Sequence, residues 1–347
     1  MRDPEFEPSR LILARNRMAV SRKYLAELSG ISVRSLAAYE NGESSPGEEN
    51  LSKMSSTLKV REEFFLGRPL EEIPVSAVSF RKLSKTSATV QRAVLADLQL
   101  TCEMYSFISE EYELPEQAIP DLSHMTPNMA AEILRSIWNL SDRPVSNIIH
   151  LLESKGVRFG SLNPEFSDVD AFCLIRDESP YVVLNPSRSA ERQRFDVAHE
   201  LGHLVLHRDH ELLPEGSRER EAQAQDFASC FLMPESSIRA RTRPGFTAVD
   251  IINAKGYWKV SAMALAHRLS QLGLLSEWQY RSVCIELSSL GFRKYEPGGI
   301  HAETSQLLRK VIGSRESLIN VGVLARSMNL PRDETAGLIS GLVPVAG

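Results

Sequence analysis

Phe195-Asp196-Val197-Ala198-His199-Glu200-Leu201-Gly202-His203 is the stretch from which the rest of the chain can be read. Its apolar neighbours Val197, Ala198, Leu201, Leu204 and Val205 predict a buried helix. On such a helix His199 and His203 lie about 40° apart and one turn apart in height, so both imidazoles can reach one zinc ion. Glu200 is turned about 100° from His199 and about 60° from His203, beside the metal but free of it, where it can deprotonate a zinc-bound water. Chance alone would place His-Glu-x-x-His in a chain of this composition on the order of one time in a hundred. A buried helix also has little reason to carry three ionisable groups unless they are paired or bind a metal.

A catalytic zinc needs a third protein ligand, and His207, His210, Glu215, Glu219, Glu221 and Asp226 all follow closely. Residues 217–233 read as one helix with Ala224, Phe227, Ala228, Phe231 and Leu232 on its apolar side. Counting about 100° per residue from Glu221 puts Ala228 near −20° and Leu232 near +20°, whereas Glu219 and Asp226 fall near 160° and 140°. Glu221 is therefore favoured as the inward-facing carboxylate, with the other residues left open. His207, one further turn along the first helix, is expected to pack or hydrogen-bond, and His210 to lie in a solvated loop.

The run from Arg192 to His207, followed by Glu221-Ala222-Gln223-Ala224-Gln225-Asp226-Phe227-Ala228 and Phe231-Leu232-Met233-Pro234, resembles the ImmA/IrrE family of zinc metallopeptidases. The resemblance is strong over residues 157–234. Val169-Asp170-Ala171-Phe172 and Trp258-Lys259-Val260-Ser261 also resemble the subgroup that carries its own DNA-binding domain. It implies zinc held by His199, His203 and Glu221, with Glu200 as general base. It further implies an endopeptidase whose protein substrate is a repressor of the helix-turn-helix class.

Upstream, Ser21 and Ser32 cap two short helices over residues 22–29 and 33–40, with Gly30 stopping the first and Asn41-Gly42 closing the second. Two helices joined by so short a turn predict a helix-turn-helix. Residues 9–39 hold six basic side chains, Arg10, Arg15, Arg17, Arg22, Lys23 and Arg34, against one acidic, Glu27. Such an excess on an acidic chain is the footprint of a phosphate-contacting face. The stretch resembles the phage-repressor (Cro/XRE-type) helix-turn-helix. That resemblance implies duplex DNA as a partner, read by Val33, Arg34 and Ser35 at the start of the second helix, with Arg22 and Lys23 near phosphates. It also implies a structural ion pair between Arg15 and Glu40.

Between and beyond these segments lie prolines at 69, 74, 115 and 120, a helical run over residues 86–112, and short β-branched and aromatic runs at 157–159, 171–175 and 181–184. The expected class is α+β, with four regions. Residues 9–66 form the all-α DNA-binding domain and 67–125 a helical linker. Residues 126–244 form the zinc metallopeptidase domain, with a small antiparallel sheet against the HExxH helix, and 245–347 a C-terminal helical domain. A fragment from about residue 126 onward is expected to fold alone. The chain has 347 residues with a formal net charge of −5, which excludes wholesale histone-like binding. Its four cysteines stand singly, so neither a disulfide scaffold nor a thiolate zinc knuckle is indicated. No apolar run is long enough for a membrane span and the acidic start is unlike a signal peptide, so a cytoplasmic location is expected. A homodimer is left open. Two other readings share these residues: a transcription factor with a structural or sensing zinc site, and a regulator that cleaves its own chain.

Overall fold

The computed structural model describes residues 5–74, 86–166, 168–208, 218–293, 295–313 and 317–343. It is a mixed α+β fold in which helices flank a three-stranded sheet. Helices α1 (Pro8–Arg17), α2 (Arg22–Ser29), α3 (Val33–Glu40) and α4 (Glu48–Leu58) lead, followed by the long α5 (Ala88–Glu111), α6 (Pro127–Ile137) and the short α7 (Ile148–Glu153). Strands β1 (Arg158–Ser161), β2 (Ala171–Arg176) and β3 (Ser179–Leu184) precede α8 (Ala190–Leu206) and α9 (Arg218–Leu232). The C-terminal helices are α10 (Glu235–Arg241), α11 (Ala248–Trp258), α12 (Ala262–Gln271), α13 (Glu277–Ser289), α14 (Gln306–Gly313), α15 (Val321–Ser327) and α16 (Arg332–Gly337). Among the described residues, no helix is long and apolar enough to cross a membrane.

The sheet order is β1-β3-β2. Strands β2 and β3 form the expected antiparallel hairpin, closed by Asp177 and Glu178, both at positive φ as a two-residue type I′ turn requires. β1 instead pairs with β3 in parallel, Arg158 opposite Tyr181 through Ser161 opposite Leu184. The expectation of an antiparallel sheet is thus corrected for one of the two pairings. The loop after β1 carries the chain to the far edge, so the hairpin's return strand enters between β1 and β2 and runs in the direction of β1.

Helix α5, assigned above to a linker, belongs to the core. Ala93, Val94, Leu98, Leu100, Met104 and Ile108 are all buried. The Tyr105 hydroxyl donates to the Phe159 carbonyl at 3.0 Å, and Phe159 N–H lies 3.1 Å from the same hydroxyl. At Gly160 of β1 a Cβ would lie 2.5 Å from Thr101 Oγ1, so the helix sits against bare backbone. A fragment cut at residue 126 would strip this helix from the sheet and expose its apolar face.

Helix α1 docks on α5 through charge. Arg10, almost fully buried, pairs with Glu103 and donates from Nε to the Arg68 carbonyl at 2.9 Å. Arg17 pairs with Glu334 of α16 and lies 3.5 Å from Asp97, whose other oxygen accepts the Asn163 N–H at 3.0 Å. Burial pushes the Asp97 carboxyl up from its ordinary 3.8 to about 6, against the pull of Arg17. Between those two values the folded chain holds a proton that the unfolded chain has released, so this group's contribution to stability declines as pH rises through the window. The stability of the wild type minus that of Asp97→Asn should fall by about 3 kcal/mol between about pH 4 and pH 7, at ~1.4 kcal/mol per pH unit of separation. Urea unfolding across that range measures it; a flat difference would contradict the assignment.

Candidate metal centre and DNA-reading face

Helix α8 is held before it reaches the site. Ser189 caps it by accepting the Arg192 N–H at 3.3 Å, and Arg192 bridges Asp196 at 3.1 Å and Asp170 at 2.9 Å. Farther along, the fully buried Arg194 pairs with Glu303 and donates to the Val145 carbonyl. Cys173 of β2 lies beneath, its sulfur 3.7 Å from the Glu200 carbonyl. Helices α8 and α9 cross at Gly202, where a Cβ would meet Ala224 Cα and Phe227 Cδ1, each at 3.1 Å. Only glycine lets the two helices approach so closely without displacement, and that approach brings Glu221 to the histidines.

His199 Nε2 and His203 Nε2 lie 3.2 Å apart, and each is 3.5 Å from a Glu221 carboxylate oxygen. They form a His-His-Glu group whose ligand atoms all lie within 4.8 Å of one another. With ~2.1 Å metal–ligand bonds, the edge of a tetrahedral zinc site is ~3.4 Å, close to the separation of the two nitrogens and to the distance from each to the Glu221 oxygen that faces it, a different oxygen of the one carboxylate in each case. Two imidazole nitrogens at 3.2 Å on neutral rings also need a cation, or a proton, between them. The donor set, two nitrogens and one carboxylate, suits a zinc ion with three protein ligands.

The electrostatics divide the cluster. Burial holds the His203 imidazole down at about 3, keeping its ring neutral as a metal ligand must be. Burial opposes ionisation of Glu221, but its contacts with His199 and His203 outweigh that and hold its carboxyl well below the usual range. Glu200 shows the opposite behaviour: burial pushes it up to about 7 despite the neighbouring His199. Among the described residues, its Oε2 and the His199 Nδ1 are buried without a hydrogen-bond partner. A carboxylate so placed is ready to exchange a proton near neutral pH.

Of the other ligand candidates, His207 is hydrogen-bonded to His203 and to Gln223, while His210 and Glu215 lie outside the described residues. Glu219 is exposed and Asp226 accepts from Gln271 at 2.8 Å, away from the histidines. Gln223 had no sequence signal. It lies about 160° round α9 from Glu221, and it meets His207 because that residue caps α8 with non-helical backbone.

In the helix-turn-helix the caps fall where expected. Ser21 accepts the Tyr24 N–H at 3.1 Å, Ser32 accepts the Ser35 N–H at 3.0 Å, and Gly30 closes α2 at φ 70°. Val33, Arg34 and Lys23 are exposed and Ser35 is half-buried, so the start of α3 is open to a ligand. The wider basic footprint is not. Arg10 and Arg17 are taken up by the carboxylates that dock α1, and Arg22, expected near phosphate, turns its Nη2 to Glu40 at 2.6 Å. Arg15 pairs with the same Glu40, so the expected ion pair is a triad.

Compared with known families, residues 152–270 match the IrrE N-terminal-like domain, a peptidase family, and residues 11–65 match the helix-turn-helix family. A search of curated proteins returned no match. The chain therefore joins a helix-turn-helix DNA-binding domain of the XRE type to an IrrE-like, metallopeptidase-like domain, the arrangement that the resemblance implied.

Glu40 is 2% exposed at its side chain and Arg22 is 39%. Glu40→Ala, which leaves two guanidinium groups unpaired, should destabilise this domain by about 3–5 kcal/mol. Arg22→Ala should cost about 1 kcal/mol or less, because water already shares that contact. Thermal unfolding of the two variants checks the order; equal losses would mean that Glu40 does not centre the triad.

Proposed function

We propose that the chain is a DNA-binding regulator with a zinc-dependent endopeptidase that cleaves a partner protein, a repressor of the helix-turn-helix class. The observation that carries this is the cluster of His199, His203 and Glu221, whose ligand atoms all lie within 4.8 Å of one another, with the buried Glu200 next to His199 on α8. His199, His203 and Glu221 would hold the ion, which supplies Lewis acidity for attack of water on a peptide carbonyl. Glu200 takes a proton from the attacking water and returns it to the departing amine, so that acid and amine products balance the peptide and water consumed. Its position near pH 7 suits both halves of that exchange.

Metal content and peptide cleavage separate the roles. His199→Ala should lose zinc, whereas Glu200→Gln should keep it and lose proteolysis of a candidate repressor by about 100-fold or more. Equal metal loss in both variants would overturn the division between ligands and base.

For DNA, Lys23 and Arg34 are the exposed cations of the reading face, with Val33 and Ser35 beside them. Affinity for duplex should fall with salt, and Lys23→Ala should reduce the log–log slope by about 1. Arg34→Ala should cost about 1–3 kcal/mol and relax sequence preference. Arg22→Ala should leave the slope unchanged, since its charge is held by Glu40. Titrations at several salt concentrations decide this; a slope that drops for Arg22→Ala and not for Lys23→Ala would reverse the assignment.

A further inference from the structure

Beside the zinc triangle, one turn along α8, three side chains form a line that ends on a ligand. Gln223 Oε1 lies 2.9 Å from His207 Nε2, and His207 Nδ1 lies 2.9 Å from His203 Nδ1. His203 Nε2 then faces His199 and Glu221. The proton positions along this line follow from donor and acceptor chemistry. An amide oxygen can only accept, so His207 carries its proton on Nε2. The Nδ1 of a neutral His207 is then a lone pair, and the His203 Nδ1 facing it must be the donor. That places the second lone pair of the couple on His203 Nε2, the atom turned to the metal triangle. Reversing any proton in the line sets two N–H groups or two lone pairs against each other at 2.9 Å.

We propose that His207 and Gln223 are positioning residues that fix the tautomer and ring orientation of His203 so that its Nε2 is presented to zinc. The proposal rests on the zinc reading above and extends it to two residues outside the ligand set. The two hydrogen bonds do for His203 what a carboxylate does for many metal-bound histidines. His199, whose Nδ1 meets no hydrogen-bond partner among the described residues, receives no such support from them. The two histidine ligands are therefore unequal, His203 being held before the metal arrives and His199 completing the site.

The test is the zinc dissociation constant of the full chain, measured by competition with a chelating dye, with the unfolding midpoint of each metal-free variant recorded alongside. His207→Ala should weaken zinc about 10- to 100-fold, and Gln223→Leu, which touches no ligand, about 10-fold or less. In the His207→Ala background Gln223→Leu should weaken zinc no further, because it acts only through His207. Gln223→Glu, which accepts the same N–H, should restore wild-type affinity. A merely structural role for these residues would move the unfolding midpoints without this coupling in affinity. Independent, multiplicative losses, an unchanged constant in Gln223→Leu, or complete loss in His207→Ala equal to that of His199→Ala would each overturn the proposal. Retention of wild-type zinc affinity by His199→Ala would instead overturn the zinc reading itself.

Discussion

Helices α8 and α9 touch at Gly202 and Ala224 so closely that one methyl group at residue 202 would press on the backbone and ring of α9. This contact sets the span between the histidines on one helix and Glu221 on the other. Side-chain length absorbs little of an error there, since a metal–ligand bond tolerates a few tenths of an ångström. Around it the structure is arranged to keep α8 in place. Asp170 gathers Arg188 and Arg192 at its start, Glu303 takes Arg194 from the C-terminal region, and the sheet lies beneath with β2 nearest. The site is thus held by distant parts of the chain, and its precision depends on the close fit of two helices at a glycine.

The helix-turn-helix and the peptidase-like region are connected through α1 and α5. α1 carries the helix-turn-helix on one side and packs on α5 on the other, and α5 in turn supports β1. Arg10 and Arg17, which on composition alone would be counted toward a DNA-binding face, are used to make that connection. A buried guanidinium needs partners for its charge and its N–H groups, and for Arg10 and Arg17 Glu103 and Glu334 supply them. Positive charge in this domain is consequently divided between internal attachment, by Arg10, Arg15 and Arg17, and exposed side chains such as Lys23 on α2 and Arg34 on α3.

Much of this was readable from local signals. Ser21, Gly30 and Ser32 mark helix ends through backbone chemistry that acts within four residues, and Thr126-Pro127 marks another in the same way. The rotation of Glu221 toward the apolar side of α9 was likewise a property of one helix. What escaped the sequence was pairing at long range. The partners of Arg10 and Arg17 lie 93 and 317 residues away, and periodicity has no information about them. Strand order escaped for the same reason, although Tyr181-Val182-Val183-Leu184, buried on both faces, carries the unbroken apolar run of a central strand. The proline-rich text around α5 suggested a linker because prolines report where a helix stops, not what it packs against.

The attachment of α1 also fixes the angle between the helix-turn-helix and the His-His-Glu group. A catalytic domain on a loose linker would sweep the space around its binding site and meet a neighbour on any side of the duplex. Here α3 packs on α1, α1 on α5 and α5 on the sheet, so under the proposed function a molecule seated in a groove carries its His-His-Glu group at a set azimuth. Proteins bound along the same duplex come round to that azimuth once per helical turn, about every 10.5 base pairs. Under the proposed function, access to a substrate that is itself bound to DNA becomes a matter of helical phase, and sites half a turn out of step would lie on the far side of the double helix.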